Sequence, residues 1–337
     1  MKYAGIDLHS NNCVVSVIDE TDRVLAERRV GNEMERVIAV LQPHRSELVG
    51  VVVESTFNWY WLVDGLQDRG FVVHLANTAA MQTYSGLKHS DDRHDARHLA
   101  HLLRLGVLPT GFIYPKTQRA ARDLARQRMR LVQSRSSVIV AVENILARET
   151  GGRLSCEQIK RLTAEQIEAM ELHADVRLGL QAQIALVGAL EQQIGALEKR
   201  LQERVGLQSE YRLLQTVPGI GPVLATVIAL ETGPIDRFGS AGDFASYARC
   251  VGSARVSNGK KKGEGNVKNG NRYLAWALVE AAHFARRYCA QARRFYDRKR
   301  AHTNTALATK ALAHKLARAC YHMLKRSAPF DVARCFG

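Results

Sequence analysis

Asp7 closes the run Tyr3-Ala4-Gly5-Ile6-Asp7, and Glu54 closes the apolar run Leu48-Val49-Gly50-Val51-Val52-Val53-Glu54. If both runs are strands lying side by side in parallel, the two carboxylates reach one edge of a sheet. A further acidic cluster, Ser90-Asp91-Asp92-Arg93-His94-Asp95-Ala96-Arg97, sets Asp92 and Asp95 three residues apart, on one side of a helix. Carboxylates converging in this way repel one another unless cations screen them. Mg²⁺, as two ions about 4 Å apart and with Mn²⁺ as an alternative, is the usual screen in enzymes that transfer phosphoryl groups. Asp91 lies four residues from Asp95 and shares that face, so spacing leaves the choice between Asp91 and Asp92 open.

A second set of residues suits contact with phosphate. Ser257 sits in a loop with Arg255, Lys260, Lys261 and Lys262, and Lys268 and Arg272 follow. A serine hydroxyl is a weak nucleophile at neutral pH unless a base, a metal or oriented cations assist it, and these cations would stabilise charge gathering on an attacked phosphate. Residues 213–225 read as a helix-hairpin-helix, in which Gly219 and Gly221 let backbone N–H groups approach a phosphate whatever the base sequence. The helical stretch from about residue 117 to 148 carries Arg119, Arg122, Arg126, Arg128, Arg130 and Arg135, which suit a nucleic-acid backbone, Arg126 and Arg130 foremost.

Elements must position these groups. Residues 3–7 and 13–18 alternate or run in β-branched residues, a third strand is expected near 23–30, and 48–54 is short enough for a buried strand. Helices are expected over 32–41 and 59–69, with another strand at 71–75. Three meander strands followed by helix, strand, helix, strand is the order of a ribonuclease H-like domain. Farther on, Leu180, Ile184, Val187, Leu190, Ile194, Leu197 and Leu201 recur at spacings of three and four, a short coiled-coil seam expected to drive self-association. The expected domains are 1–150, an α/β unit; 151–206, a helical linker; and 207–337, a basic, mainly helical unit.

Composition limits the partners. The chain has 337 residues, 46% hydrophobic and 24% charged, which excludes a disulfide-stapled miniprotein and a disordered chain. Its formal charge is +15, and residues 206–337 hold 22 Lys/Arg against 8 Asp/Glu, so +14 lies there. Such a balance favours a polyanion, with nucleic acid foremost. Six cysteines without a Cys-x-x-Cys pair argue against a zinc ribbon and suit a reducing compartment. No secretory leader or long apolar span is recognisable, so no membrane association and a cytoplasmic location are expected.

Motifs in this order resemble the DEDD-type transposases of bacterial insertion sequences, a family that includes the Piv-like DNA invertases. The resemblance is carried by Gly5-Ile6-Asp7-Leu8-His9, Val53-Glu54-Ser55-Thr56, Asp92-Arg93-His94-Asp95-Ala96-Arg97, Val217-Pro218-Gly219-Ile220-Gly221, Ser257-Asn258-Gly259 and Gly270-Asn271-Arg272-Tyr273-Leu274. It implies a RuvC-like N-terminal domain whose metal-holding acids are Asp7, Glu54, Asp92 and Asp95, choosing Asp92 over Asp91. It also implies Ser257 as the essential serine, in a triplet where Asn258 replaces the commoner second serine. DNA at the element ends and target, a structured noncoding guide RNA, and a dimer or tetramer of the chain are the implied partners. The expected activity is strand cleavage and rejoining through a phosphoserine link. The alternatives are a RuvC-like nuclease using metal-activated water and a noncatalytic nucleic-acid-binding protein.

Overall fold

A computed structural model describes residues 1–81, 91–206, 208–252, 255–263 and 269–337. Contacts divide the chain into two units, Met1–Ile113 and Tyr114–Gly337. The expected boundary at residue 150 marks the end of a long helix inside the second unit.

The first unit is a mixed sheet with helices on both faces. In chain order it contains β1 (Lys2–Leu8), β2 (Asn12–Asp19), β3 (Val24–Gly31), α1 (Met34–Leu41), β4 (Leu48–Glu54), α2 (Tyr60–Asp68), β5 (Val73–Ala76), α3 (Thr78–Met81), α4 (Asp92–Arg104) and β6 (Thr110–Gly111). The strands lie in the order β3-β2-β1-β4-β5-β6. β1 pairs antiparallel with β2 and parallel with β4, and β4 pairs parallel with β5. This agrees with the element order read from the sequence. The helices covering both faces explain why β1, β2 and β4 are buried almost throughout.

Period-two alternation decides which side chains share a face. Ala4, Ile6, Leu8, Val51 and Val53 pack with Leu41, Leu62 and Leu66 from α1 and α2. Tyr3 and Val52 point the other way, toward Ala100 and Leu99 of α4. Asp7 and Glu54 follow Tyr3 and Val52 in phase, so both belong to the α4 face. Gly5 lets α4 come down onto β1: a Cβ there would lie 2.0 Å from the Ala96 carbonyl oxygen and 2.8 Å from the Ala100 nitrogen.

The second unit comprises α5 (Lys116–Thr150), α6 (Cys156–Lys160), α7 (Ala164–Glu168), α8 (Ala174–Val205), α9 (Ser209–Leu214), α10 (Pro222–Thr232), α11 (Ala241–Tyr247), the hairpin strands β7 (Arg255–Ser257) and β8 (Lys260–Gly263), α12 (Arg272–Tyr288), α13 (Ala290–His302), α14 (Thr305–Arg326) and α15 (Val332–Phe336). Ion pairs Arg128–Glu198 and Arg135–Glu191 show that α5 and α8 run antiparallel. Leu180, Val187, Ile194 and Leu201 are the fully buried positions of the α8 seam, seven residues apart, as a coiled coil requires. Leu180 and Val187 pack with Ile139, Val142 and Leu146 of α5, and Leu201 packs with Ala121 and Ala125. α5 thus covers the Leu180, Val187 and Leu201 side of the seam, and Leu190 and Leu197 are half-buried. The remaining helices, α9 to α14, surround a core that includes Leu214, Ile228, Phe244, Leu278, Leu312 and Leu316. Among the described residues, no helix is long and apolar enough to cross a membrane.

Candidate active site

β1 and β4 are in register with Ile6 opposite Val53, so the next residue on each strand is a carboxylate. The Glu54 carboxyl lies within hydrogen-bonding reach of Asp7, which is only 4% exposed. Burial pushes the Glu54 pKa up to about 8, reinforced by the hydrogen bond to Asp7 and by the negative charges of Asp7 and Asp95. Burial likewise raises Asp7; the Glu54 hydrogen bond and His9 oppose the rise, and the charges of Asp95 and Asp92 add to it. The expected acids are thus close enough for their charges to act on one another.

α4 brings the second pair of acids. Its N-cap is Asp91, whose carboxylate accepts the His94 backbone N–H at 2.7 Å. That capping bond commits Asp91 to holding the helix end, and Asp92, one residue on, turns toward β1. Arg29 from β3 hydrogen-bonds Asp92 and holds its pKa below the usual carboxylate range, with His9 contributing after it. His9 stands between the acids: its Nε2 lies 3.3 Å from Asp7 Oδ2 and 3.1 Å from Asp92 Oδ2. Its carbonyl accepts the side-chain amides of Asn32 at 3.0 Å and Asn58 at 2.9 Å, which fixes the turn after β1.

Asp7, His9 and Asp92 offer ligand atoms within 4.8 Å of one another. Asp7 Oδ2 and His9 Nε2 are both buried without a hydrogen bond of acceptable geometry. A buried, unsatisfied carboxylate oxygen beside an imidazole and a second carboxylate is a donor set that fits a divalent cation, oxygen-rich as Mg²⁺ and Mn²⁺ prefer. In the sequence His9 stands only as the end of the Gly5–His9 motif, with no role assigned, and Arg29 is not singled out. The signal for His9 was its place two residues beyond Asp7; Arg29 depends on strand pairing and leaves none.

Ser257 ends β7 and is paired with Lys260 of β8. Between them, Asn258 at φ 49° and Gly259 at φ 70° have the left-handed backbone of a two-residue hairpin turn, for which Asn-Gly is the preferred pair. Ser257, Lys260 and Lys262 are exposed. Arg255 and Lys261 lie on β7 and β8, while Lys268 falls outside the described residues.

Residues 4–149 match a family profile described as transposase, the DEDD domain of IS110 elements, and residues 211–297 match one described as transposase, IS116/IS110/IS902 family. Two separate stretches of the chain are thus similar to transposases of IS110-type insertion elements. It is 25% identical over 294 residues to a probable family 20 transposase of Pseudomonas aeruginosa, covering 85% of this chain and 84% of that protein. It is 24% identical over 343 residues to the transposase for insertion sequence element IS1111A of Coxiella burnetii, covering 98% and 88%. An uncharacterised 44.8 kDa protein of insertion element IS116 from Streptomyces clavuligerus is 28% identical over 159 residues, 44% of this chain and 39% of that one.

Two of the residues expected to contact nucleic acid also have partners within the chain. Gly219, at φ 95°, is required by a close approach to α12, since a Cβ would sit 2.4 Å from the Ala285 nitrogen and 2.7 Å from the Ala281 carbonyl oxygen. The glycine serves helix packing; Gly221, the N-cap of α10, faces open space. Arg126 is the second. Its guanidinium donates to both oxygens of Glu231, at 2.5 and 2.7 Å, and Glu231 is 1% exposed. Burial works against the Arg126 charge, but the Glu231 carboxylate outweighs it and raises its pKa. The Asn271 side chain joins the same knot, donating to Glu231 at 2.7 Å while capping α12 through the N–H groups of Tyr273 and Leu274. The Arg126 side chain is half-buried, 26% exposed. Arg119 and Arg122 are buried, whereas Arg130 and Arg272 are exposed.

Proposed function

We propose that the protein, as a transposase, cuts and rejoins DNA at the ends of an insertion element, with Ser257 as nucleophile and Asp7, Glu54, Asp92 and Asp95 holding Mg²⁺ or Mn²⁺. The observation that carries this reading is the convergence of Asp7, His9 and Asp92, whose ligand atoms lie within 4.8 Å of one another beside Glu54. When bound there, a divalent cation supplies Lewis acidity to a phosphate and offsets the charge of the acids. The Ser257 oxygen forms a bond to phosphorus, the bond from phosphorus to a deoxyribose oxygen breaks, and that oxygen takes up a proton as the serine loses its own. Attack of another deoxyribose hydroxyl on the phosphoserine rejoins the strand and returns the serine. Exposed Lys260 and Lys262 suit the added phosphate charge. A RuvC-like classification of the first unit is supported by its strand order.

A guide RNA and self-association into a dimer or tetramer belong to the same proposal. The charge of residues 206–337 supports a polyanionic partner, and sequencing RNA that co-purifies with the protein tests the guide. The nucleophile is tested with purified protein, Mg²⁺ and a plasmid carrying the element ends. Wild-type protein should give a protein–DNA adduct stable to detergent and Ser257→Ala none; an adduct from Ser257→Ala would overturn the assignment. Asp7→Ala and Glu54→Ala should lower excision at least a hundredfold, and unchanged excision would remove the acids from the mechanism.

A further inference from the structure

Phe284 and Tyr288 lie one helical turn apart on α12 and are 41% and 66% exposed. Their rings are nearly parallel, 9° between planes, with centroids 6.4 Å apart. Large rings on a surface forfeit burial that folding would otherwise gain, so an exposed parallel pair calls for an occupant. Phe284 lies between two cavities of about 550 Å³ each. One is floored by the turn from Gln215 to Leu224 and includes Tyr288; the other is lined by Arg286, Arg287, Arg293, Tyr296 and Arg300.

The charges around the rings favour one kind of occupant. Arg287 lies 5.5 Å from the centroid of Tyr288, and Arg286 lies 4.7 Å over the buried Tyr296 ring. Among the described residues, neither has a carboxylate partner. Arg293 donates to the carbonyls of Arg286 and Arg287, closing the end of α12. The single acid of the cluster, Asp297, is 3.5 Å from Arg300 and leaves the patch strongly positive. A second copy of this face would be repelled by its own charge, and a DNA duplex keeps its base faces stacked out of reach. An unpaired strand offers both parts of the match, flat bases for the rings and phosphates for the arginines.

We propose that the Phe284–Tyr288 face of α12 binds unpaired DNA, the rings stacking on bases and Arg286 and Arg287 holding the adjoining phosphates. This rests on the reading of the protein as a DNA strand-exchange enzyme, since cutting and rejoining expose unpaired strand ends, and the element it would move is DNA.

The test uses the full-length protein with three fluorescent probes of equal length: oligothymidylate, a DNA duplex and oligouridylate. Both rings are exposed, so Phe284→Ala with Tyr288→Ala should keep the wild-type melting temperature. Oligothymidylate affinity should fall about tenfold for each ring removed, while duplex affinity changes less than about twofold. Tyr288→Trp should retain strand binding, and its added indole emission should be quenched when oligothymidylate binds. Equal losses on duplex and single strand, or no loss on either, would overturn the proposal. So would a loss confined to oligouridylate, which assigns the face to RNA, or a drop in solution mass without a change in strand binding, which assigns it to a second copy. If the ring variant loses strand binding while Ser257→Ala and Asp7→Ala proteins still cut DNA, the stacking site stands and the strand-exchange mechanism falls.

Discussion

Glu54 is the acid of the candidate site whose proton burial most plainly retains. With its pKa pushed up to about 8 from the ordinary 4.5, the folded protein holds a proton that the unfolded chain has released between those values. Stability of the cation-free protein should therefore fall as pH rises through this window, with a slope of at most about 1.4 kcal/mol per unit before solvent screening. Melting curves in chelator across the window test this, and Glu54→Gln should flatten the dependence. Mg²⁺ at a hundredfold excess over its Kd should restore about 2.7 kcal/mol at the alkaline end. Asp91 and Asp92 separate at the same scale. Asp91→Ala removes a helix cap and should lower stability by about 1 kcal/mol while leaving the cation-induced shift in Tm intact. Asp92→Ala should abolish most of that shift, and equal effects of the two would contradict the assignment of Asp91 to capping. The sequence could not choose between these neighbours, because both lie on the face of Asp95; a capping bond is visible only once the helix start is known.

At the scale of elements, the site depends on how closely α4 lies on β1. Gly5→Ala places a methyl group within reach of the Ala96 carbonyl, so α4 must lift. The expected result is a loss of about 1–3 kcal/mol and a cation-induced Tm shift at least halved, although every acid is retained. A full shift in Gly5→Ala would show that α4 does not position the acids. The strands carrying Asp7 and Glu54 were legible because buried parallel strands write themselves as apolar runs, and the helix periods of α5 and α8 were equally plain. What those helices touch was not. The α8 seam reads the same whether a second chain or α5 fills it. The positive charge of Arg126 likewise points to a phosphate until the fold supplies Glu231, which is distant in sequence. Gly219 and the Asn258-Gly259 pair show a similar limit: glycine announces a tight backbone but not whether helix, hairpin turn or ligand demands it.

Over the whole molecule, charge is the feature that composition predicted most directly. Residues 206–337 carry +14, and Arg272, Arg287 and Arg130 are exposed. If about six to ten phosphates are neutralised, DNA affinity should fall roughly 10³- to 10⁵-fold between about 50 and 200 mM salt, as read by fluorescence anisotropy. A flat response would argue that the basic surface serves another purpose. The buried arginines make this slope shallower than the raw count of cations suggests, because charges answered inside the protein release no counterions.

The knot at Glu231 has a consequence for how the second unit breathes. One carboxylate ties the first turns of α5, the end of α10 and the cap of α12, so none of the three can loosen without stranding a buried charge. Amide hydrogens in these segments should exchange with deuterium together, in a single slow class, while those of the short helices α6 and α7 exchange earlier. Glu231→Gln should move the whole class at once, so the helix bearing the two exposed rings would be as steady as the most protected part of the unit.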